Sequence, residues 1–559
     1  MRAIEIYDTT LRDGAQMRGI SFSVNDKLKV LRLLDDIGVA FVEGGWPGAN
    51  PKDIDFFTEA KKIKLKTTQL VAFGSTRKAN TKVESDPILA ALLRAETEVI
   101  CIVGKSSAPQ VTNTLKISLD KNLDMLAESI SFLKSEGRRV IIDAEHFFDG
   151  YVSDAAYSLK FAKVAVEAGA ETLVLCDTNG GSLPEQVFKI TKEIIETYGG
   201  TVYKPASSRL TPIKIGIHAH NDCELAVANS IRAVRAGATQ VQGTINGYGE
   251  RCGNANLISI IPNLELKYTE EKLKCLPKDK LKYLSSLSHA VAEIANQHHS
   301  AHQPFVGASS FAHKAGLHAS AMKKQDFSYE HIDPILVGNA TKIIISEQSG
   351  VSNILDWLQK KKLFPKASNE IVGEFAKTVL ERVKKLEHKG YSFENADASL
   401  ELMVRKLIEI EDCEQSQGSA EIKPKAYKPY FKLVEHNVYI SNGEKTEATV
   451  RIEIAGEEIH SASVGNGPAN ALDKALRKAL VNFYPQIEEF QLLDYKVRIQ
   501  DSSLGTAALT KVQVNTGNLA EDWDTIGVST NIIKASWDAI VDSIEYGLIK
   551  YGVKPVELA

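Results

Sequence analysis

Over the first 250 residues, short apolar runs rich in β-branched side chains alternate with longer stretches whose apolar positions recur every three to four residues. The short runs are residues 4–7, 39–43, 69–73, 99–103, 140–143, 172–176, 213–217 and 241–245. Between them lie amphipathic stretches such as 25–37, 119–135, 155–168, 183–197 and 224–236, several of which stop at a glycine (Gly38, Gly169, Gly237). Strand–helix alternation predicts a parallel sheet with helical crossovers. Eight repeats in this length match a closed (β/α)8 TIM barrel. An open doubly wound sheet is the runner-up, but no G-x-G-x-x-G follows the first strand.

The rhythm changes after about residue 265. Barrel 1–270 gives way to a helical subdomain over 271–410, with helices predicted at 282–295, 369–386 and 396–410. Residues 411–428 (EDCEQSQGSAEIKPKAYK) are polar and predict a linker. Residues 429–559 predict an α+β domain built from a duplicated β-β-α unit: strands 449–455 and 458–464 with helix 469–481, then strands 508–516 and 523–528 with helix 533–547. Such a repeat suits two halves around a ligand, or a dimerisation module without one.

Composition narrows the class. Lys and Arg total 67 and Asp and Glu 71, a net charge of −4, which lacks the basic footprint of a nucleic-acid binder. The N-terminus has no signal-peptide pattern and no apolar run reaches 18 residues, so neither export nor a membrane span is expected. Six scattered cysteines without a C-x-x-C pair fit a reducing compartment, and a cytoplasmic enzyme is the expectation.

In barrels of this kind the chemistry sits at the C-terminal ends of the strands. The first strand is followed by Asp8-Thr-Thr-Leu-Arg12-Asp13-Gly, the seventh carries His218-Ala-His220-Asn-Asp, and the eighth leads to Gly249-Glu-Arg-Cys-Gly-Asn254. Residues i and i+2 of a strand share a face, so both imidazoles project together. Closure brings the first strand beside the eighth, so Asp13, His218, His220 and Asn254 converge as ligands of a catalytic divalent ion. Asn256 and Glu250 are alternatives to Asn254. Oxygen donors favour Mg²⁺ or Mn²⁺, and the imidazoles keep Zn²⁺ and Fe²⁺ open. Glu43, Glu145, His146 and the Asp177-Thr178-Asn179 run are further polar candidates at strand ends.

The three barrel motifs resemble those of the isopropylmalate, homocitrate and citramalate synthase family, Claisen-condensing enzymes on a metal-binding barrel. Residues 311–318 (FAHKAGLH) and 329–338 (YEHIDPILVG) resemble its helical subdomain, and Thr525-Ile-Gly-Val-Ser-Thr-Asn its C-terminal regulatory domain. The runs 143–150 (DAEHFFDG) and 42–52 (VEGGWPGANPK), with His331-Ile-Asp-Pro, are most similar to the longer citramalate synthase branch. Ala15 departs from the Glu or Asn frequent in the family after Arg-Asp-Gly.

The resemblance implies a reaction of acetyl-CoA with pyruvate. Asp13, His218, His220 and Asn254 would hold the metal, Arg12 would face the keto oxygen, and Thr178 the carboxylate of the 2-oxo acid. Glu145, His318 and Tyr329 would serve acid–base and hydrolysis steps, the last two from the partner subunit of a homodimer. Isoleucine, or leucine, would bind the duplicated domain as allosteric effector. Phe73 and Ile102 are the expected pocket walls favouring a methyl group. Competing readings are a 2-isopropylmalate synthase, a carbon–carbon lyase and a catalytically silent amino-acid sensor.

Overall fold

The computed structural model describes residues 2–198, 213–313, 329–343, 345–346, 349–363, 369–414, 427–440, 445–500, 507–518 and 521–557. The chain forms two compact units, Met1–Phe311 with Glu330–Thr341, and Ala312–Tyr329 with Lys342–Ala559. Among the described residues no helix is long and apolar enough to cross a membrane.

In the first unit eight parallel strands close into a barrel: β1 (Glu5–Asp8), β2 (Phe41–Gly45), β3 (Gln69–Ser75), β4 (Val99–Lys105), β5 (Arg139–Glu145), β6 (Thr172–Asp177), β7 (Lys214–Ala219) and β8 (Gln240–Gly243). Each falls within a few residues of its predicted run. β1 pairs with β2 on one side and β8 on the other, so the ring closes where the chain's first strand meets its eighth. The helices α1 (Val24–Ile37), α2 (Pro51–Ala60), α3 (Pro87–Arg94), α4 (Leu119–Ser135), α5 (Ala155–Glu167), α6 (Pro184–Tyr198), α7 (Ala226–Ala236) and α8 (Leu257–Lys267) follow the strands. Local chemistry sets their ends. The Ser23 hydroxyl and the Asp26 carboxylate form a reciprocal capping box on α1, and Gly38 at φ 87° turns the chain out of it.

Most of the strands are apolar on both faces, as parallel strands between a helical layer and a filled interior must be. Tyr7, Phe41, Val71, Phe73, Val99, Cys101, Ile141, Val174 and Cys176 fill the barrel interior. Val42, Ala72, Ile100, Ile102 and Ile142 belong to the outer core with Leu92, Leu126 and Phe161 of the helices. Ile102 is therefore corrected: it is fully buried beneath the helices and cannot wall a substrate pocket. Alternation along β4 turns its neighbours Cys101 and Val103 inward instead.

Beyond β8 the chain folds back over the barrel rim. Asn254 bridges to His220 and Asn256 to Thr244, continuing the sheet past its strands. Gly243 permits this, because a Cβ there would lie 2.3 Å from the Ala255 carbonyl oxygen.

Helices of the stretch predicted to be helical fall in both units. α9 (Leu284–Ile294) belongs to the barrel unit, whereas α10 (Val351–Lys360), α11 (Asn369–His388) and α12 (Asp397–Glu414) belong to the second, around Ile354, Phe375, Val379, Leu400 and Val404. α12 continues into the start of the predicted linker, and residues 415–426 lie outside the described residues.

The duplicated region holds two three-stranded antiparallel sheets, each with a helix. The first is β9 (Lys432–Ile440), β10 (Thr446–Ile454) and β11 (Glu457–Gly465) with α13 (Pro468–Leu480). The second is β12 (Gln491–Ile499), β13 (Thr510–Gly517) and β14 (Asp522–Ser529) with α14 (Ile532–Lys550). Each unit thus carries a leading strand, β9 or β12, that the pattern did not predict. Both are almost wholly exposed; β9 carries no regular apolar alternation, whereas Tyr495, Val497 and Ile499 of β12 do alternate with Lys496 and Arg498. The halves share one core, with Val450, Leu472 and Leu476 of one beside Val512, Trp537 and Ile540 of the other. Ser399 near the start of α12 accepts the amide of Ile526 on the edge strand β14 and donates to Asp542 on α14, both at 3.0 Å.

Candidate metal centre and active site

The residues singled out at three strand ends meet at the barrel mouth. Asp13 follows β1, His218 lies on β7 with His220 just beyond it, and Asn254 sits on the segment that folds back after β8. One ligand atom from each of Asp13, His218 and His220 falls within 4.8 Å of the others, and all three residues are largely buried. Asp13 Oδ2 is 3.2 Å from His218 Nε2 and 3.7 Å from His220 Nε2. Asn254 Oδ1 is 3.0 Å from His218 Nε2, while its amide nitrogen donates to the Tyr248 carbonyl at 3.2 Å. Of the two alternatives, Asn256 instead caps α8 and Glu250 is exposed.

Two properties of this cluster suit a divalent cation. The first is the crowding of acceptors. His218 Nδ1 faces the Gln242 amide oxygen at 2.7 Å, and Gln242 donates its amide nitrogen to Asp143 at 2.9 Å. The neutral ring therefore carries its proton on Nδ1, so Nε2 presents a lone pair to two oxygen acceptors. Only a proton or a metal ion resolves that arrangement. Burial disfavours the His218 cation, but the hydrogen bond and charge of Asp13 outweigh it and raise the ring to about 9.

The second is charge. Asp13, Glu43 and Asp143 all act on a single guanidinium, Arg12. With His218 neutral, as ligation through Nε2 requires, three carboxylates against one guanidinium leave two negative charges, which a divalent ion offsets. Burial raises Glu43 and Asp143 above the usual carboxylate range even with Arg12 nearby. Asp13 is also penalised by burial, but Arg12 and the two imidazoles hold it well below that range.

Arg12 is fixed on several sides. Its Nε bonds Glu43 at 2.5 Å, its Nη1 lies 3.4 Å from Asp13, and its guanidinium stacks 3.9 Å above the Phe73 ring. Glu43 also accepts from the Tyr7 hydroxyl at 2.6 Å, and Trp46 meets the edge of Phe73 with ring centres 5.5 Å apart. Phe73 thus stands beside Arg12, where Ile102 does not. Thr178 accepts the His146 amide at 2.8 Å and keeps its hydroxyl hydrogen to donate. Glu145 is paired with Lys105 at 2.5 Å. Tyr329 is half-exposed and belongs to the second unit, and His318 lies outside the described residues.

Sequence reasoning passed over Tyr7, Gln242 and Arg251 as site residues, and quoted Asp143 only within a motif. A signal existed for Gln242: Gln240 and Gln242 are polar at i and i+2 in a strand otherwise free of polar side chains. Arg251 contacts His220, Asp222 and Thr178 through tertiary geometry that no local pattern reports.

Comparison with known proteins identifies the family. Residues 3–287 match the family described as HMGL-like, residues 305–390 the homocitrate synthase post-HMGL domain-like family, and residues 399–548 the LeuA allosteric (dimerisation) domain. An (R)-citramalate synthase of Aquifex aeolicus is 47% identical over 98% of both chains. One of Synechocystis sp. is 48% identical over 97% of this chain and 96% of its own. A 2-isopropylmalate synthase of Pyrococcus abyssi is 29% identical over 96% of this chain and all of its own. With a closed barrel, a metal-competent mouth and near-full-length identity of this order, the chain belongs to the (R)-citramalate synthase family of acyltransferase enzymes.

Proposed function

We propose that this protein condenses acetyl-CoA with pyruvate and hydrolyses the product thioester to citramalate and CoA, as a cytoplasmic homodimer. The observation that carries the proposal is Arg12, aimed by Glu43 and Phe73 beside the donors Asp13, His218, His220 and Asn254. Asp13, His218, His220 and Asn254 would hold a divalent ion, Mg²⁺ or Mn²⁺ before Zn²⁺, which would supply Lewis-acid polarisation of the keto group. Arg12 stabilises the negative charge that develops on the keto oxygen. Thr178 orients the 2-oxo acid by donating to its carboxylate, and Phe73 with Trp46 limits the space for the substituent. A base, assigned to Glu145 by family resemblance, removes a methyl proton of the thioester. His318 and Tyr329, by the same resemblance, serve hydrolysis from the partner subunit. Positioning supplies the larger part of the rate, since general base catalysis alone contributes about 10²–10⁴-fold. Isoleucine, bound between the halves of the duplicated domain, lowers activity and fits control of a pathway leading to it.

The test is release of the CoA thiol by the full-length protein with acetyl-CoA, Mg²⁺ or Mn²⁺, and either pyruvate or 2-oxoisovalerate. Preference for pyruvate supports the proposal. Preference for 2-oxoisovalerate replaces it with the leucine-pathway reaction, and no release at all favours a silent sensor. Thiol release unaffected by isoleucine removes the regulatory part alone.

A further inference from the structure

The two histidines of the candidate metal centre meet opposite partners at Nδ1. Gln242 presents an acceptor to His218, which leaves Nε2 of the neutral ring free to bind an ion. His220 Nδ1 instead lies 2.6 Å from Nη2 of Arg251. A guanidinium only donates, so the neutral His220 ring carries its proton on Nε2, the atom that faces Asp13 across 3.7 Å. In that tautomer Nε2 has no lone pair to offer. The other tautomer would press Nδ1–H against an N–H of Arg251.

Arg251 is held in place by its other contacts. Nε and Nη2 grip the Asp222 carboxylate at 2.8 and 2.9 Å, and Nη2 also lies 2.9 Å from the Thr178 carbonyl. Nη2 has two hydrogens for three acceptors, so the three contacts cannot all be full hydrogen bonds at once. With 43% of its side chain exposed, Arg251 has solvent into which to turn while keeping Asp222.

We propose that Arg251, braced by Asp222, gates the metal centre: it holds His220 in the tautomer that refuses an ion, and loading requires the guanidinium to leave Nδ1. The gate rests on the proposal that Asp13, His218 and His220 bind a divalent ion. Arg251 acts here as a positioning residue, through His220.

The test is calorimetric titration of chelator-stripped, full-length protein with Mn²⁺ alone at fixed pH. Partners of metal-ligating histidines typically change affinity by about 10–100-fold when altered. Arg251→Met is expected to bind Mn²⁺ about 10-fold more tightly than the unaltered protein. Arg251→Lys, which keeps a donor near Nδ1, is expected to stay close to the unaltered value. Gln242→Met, which removes the favourable partner of His218, is expected to bind about 10-fold more weakly. A folded Arg251→Met protein that binds Mn²⁺ equally or more weakly overturns the gate and leaves the metal centre standing. Failure of both the unaltered protein and folded Arg251→Met to bind Mn²⁺ overturns both. Should Arg251→Met not fold, nitrogen-15 resonances of the metal-free unaltered protein decide, with His220 assigned from a His220→Gln spectrum. Protonation of His220 at Nε2 supports the gate, and protonation at Nδ1 overturns it.

Discussion

Breaking the Arg12–Glu43 pair one side at a time separates its structural role from its chemical one. Glu43 is fully buried, and the Arg12 side chain is 14% exposed with Nε 2.5 Å from the carboxylate. Replacing Arg12 by Met leaves Glu43 facing Asp143 and Asp13 without a guanidinium, and stranding one member of a buried pair costs about 3–5 kcal/mol. Replacing Glu43 by Gln is milder, about 1–3 kcal/mol, because Arg12 keeps Asp13 at 3.4 Å and Gln still accepts from Tyr7. In the double variant the stranded carboxylate is gone, so its cost should fall short of the sum by about 2 kcal/mol. Hydrogen exchange followed by mass spectrometry on peptides spanning β1 and β8 of the full-length, chelator-treated protein reads barrel stability without the second unit. Thiol release should fall about 10²–10³-fold in both proteins that lack Arg12, without recovery in the double variant. Costs that add to within about 0.5 kcal/mol would refute the charge argument, and recovered activity would refute the role given to Arg12.

Phe73→Ala should shift the pyruvate-to-2-oxoisovalerate preference toward the larger acid by about 10–200-fold, measured as a ratio of kcat/KM values; an unchanged ratio removes Phe73 from the pocket. Ile102→Ala should leave that ratio unchanged while costing about 2–5 kcal/mol in the same exchange experiment, as a cavity under the helices would. Because metal-free His218 titrates at about 9 and an ion needs its Nε2 lone pair, a proton must leave below that pH. The apparent Kd for Mg²⁺ should therefore fall about tenfold per pH unit from 7 toward 9 and then level off, and a flat calorimetric profile would contradict the tautomer and charge assignments.

The barrel was legible because each strand is a buried apolar run cut by polar, glycine-ended helices. The chemistry was legible where strand ends carry unusual neighbours, as in His218-Ala-His220 and Arg12-Asp13. What failed was phase. In Val99-Ile-Cys-Ile-Val103 both faces are apolar, so a period of two does not say which residues point inward, and Ile102 was placed on the wrong side. β9 was missed for the opposite reason, since a strand exposed along most of its length has no buried face to mark it, whereas the alternation Tyr495-Lys-Val497-Arg-Ile499 in β12 was there to be read. The Asp143–Gln242–His218 chain links β5, β8 and β7, and its partners become visible only once the ring is closed.

The seam between β1 and β8 has a consequence for how the protein is made. Residues 5–8 are made well before their second partner, residues 240–243, which follows some two hundred residues later, so the first strand of the barrel waits longest for its ring to shut. Asp13 lies just past one side of that seam and Asn254 just past the other, with His218 and His220 on the neighbouring strand. An ion drawing these donors together would act as a clasp across the last joint to form. It would select shut rings over gaping ones among newly synthesised chains and add RT ln(1 + [ion]/Kd) to their stability. Scarcity of the ion during synthesis would then lower the yield of shut barrels as well as the activity of those already made.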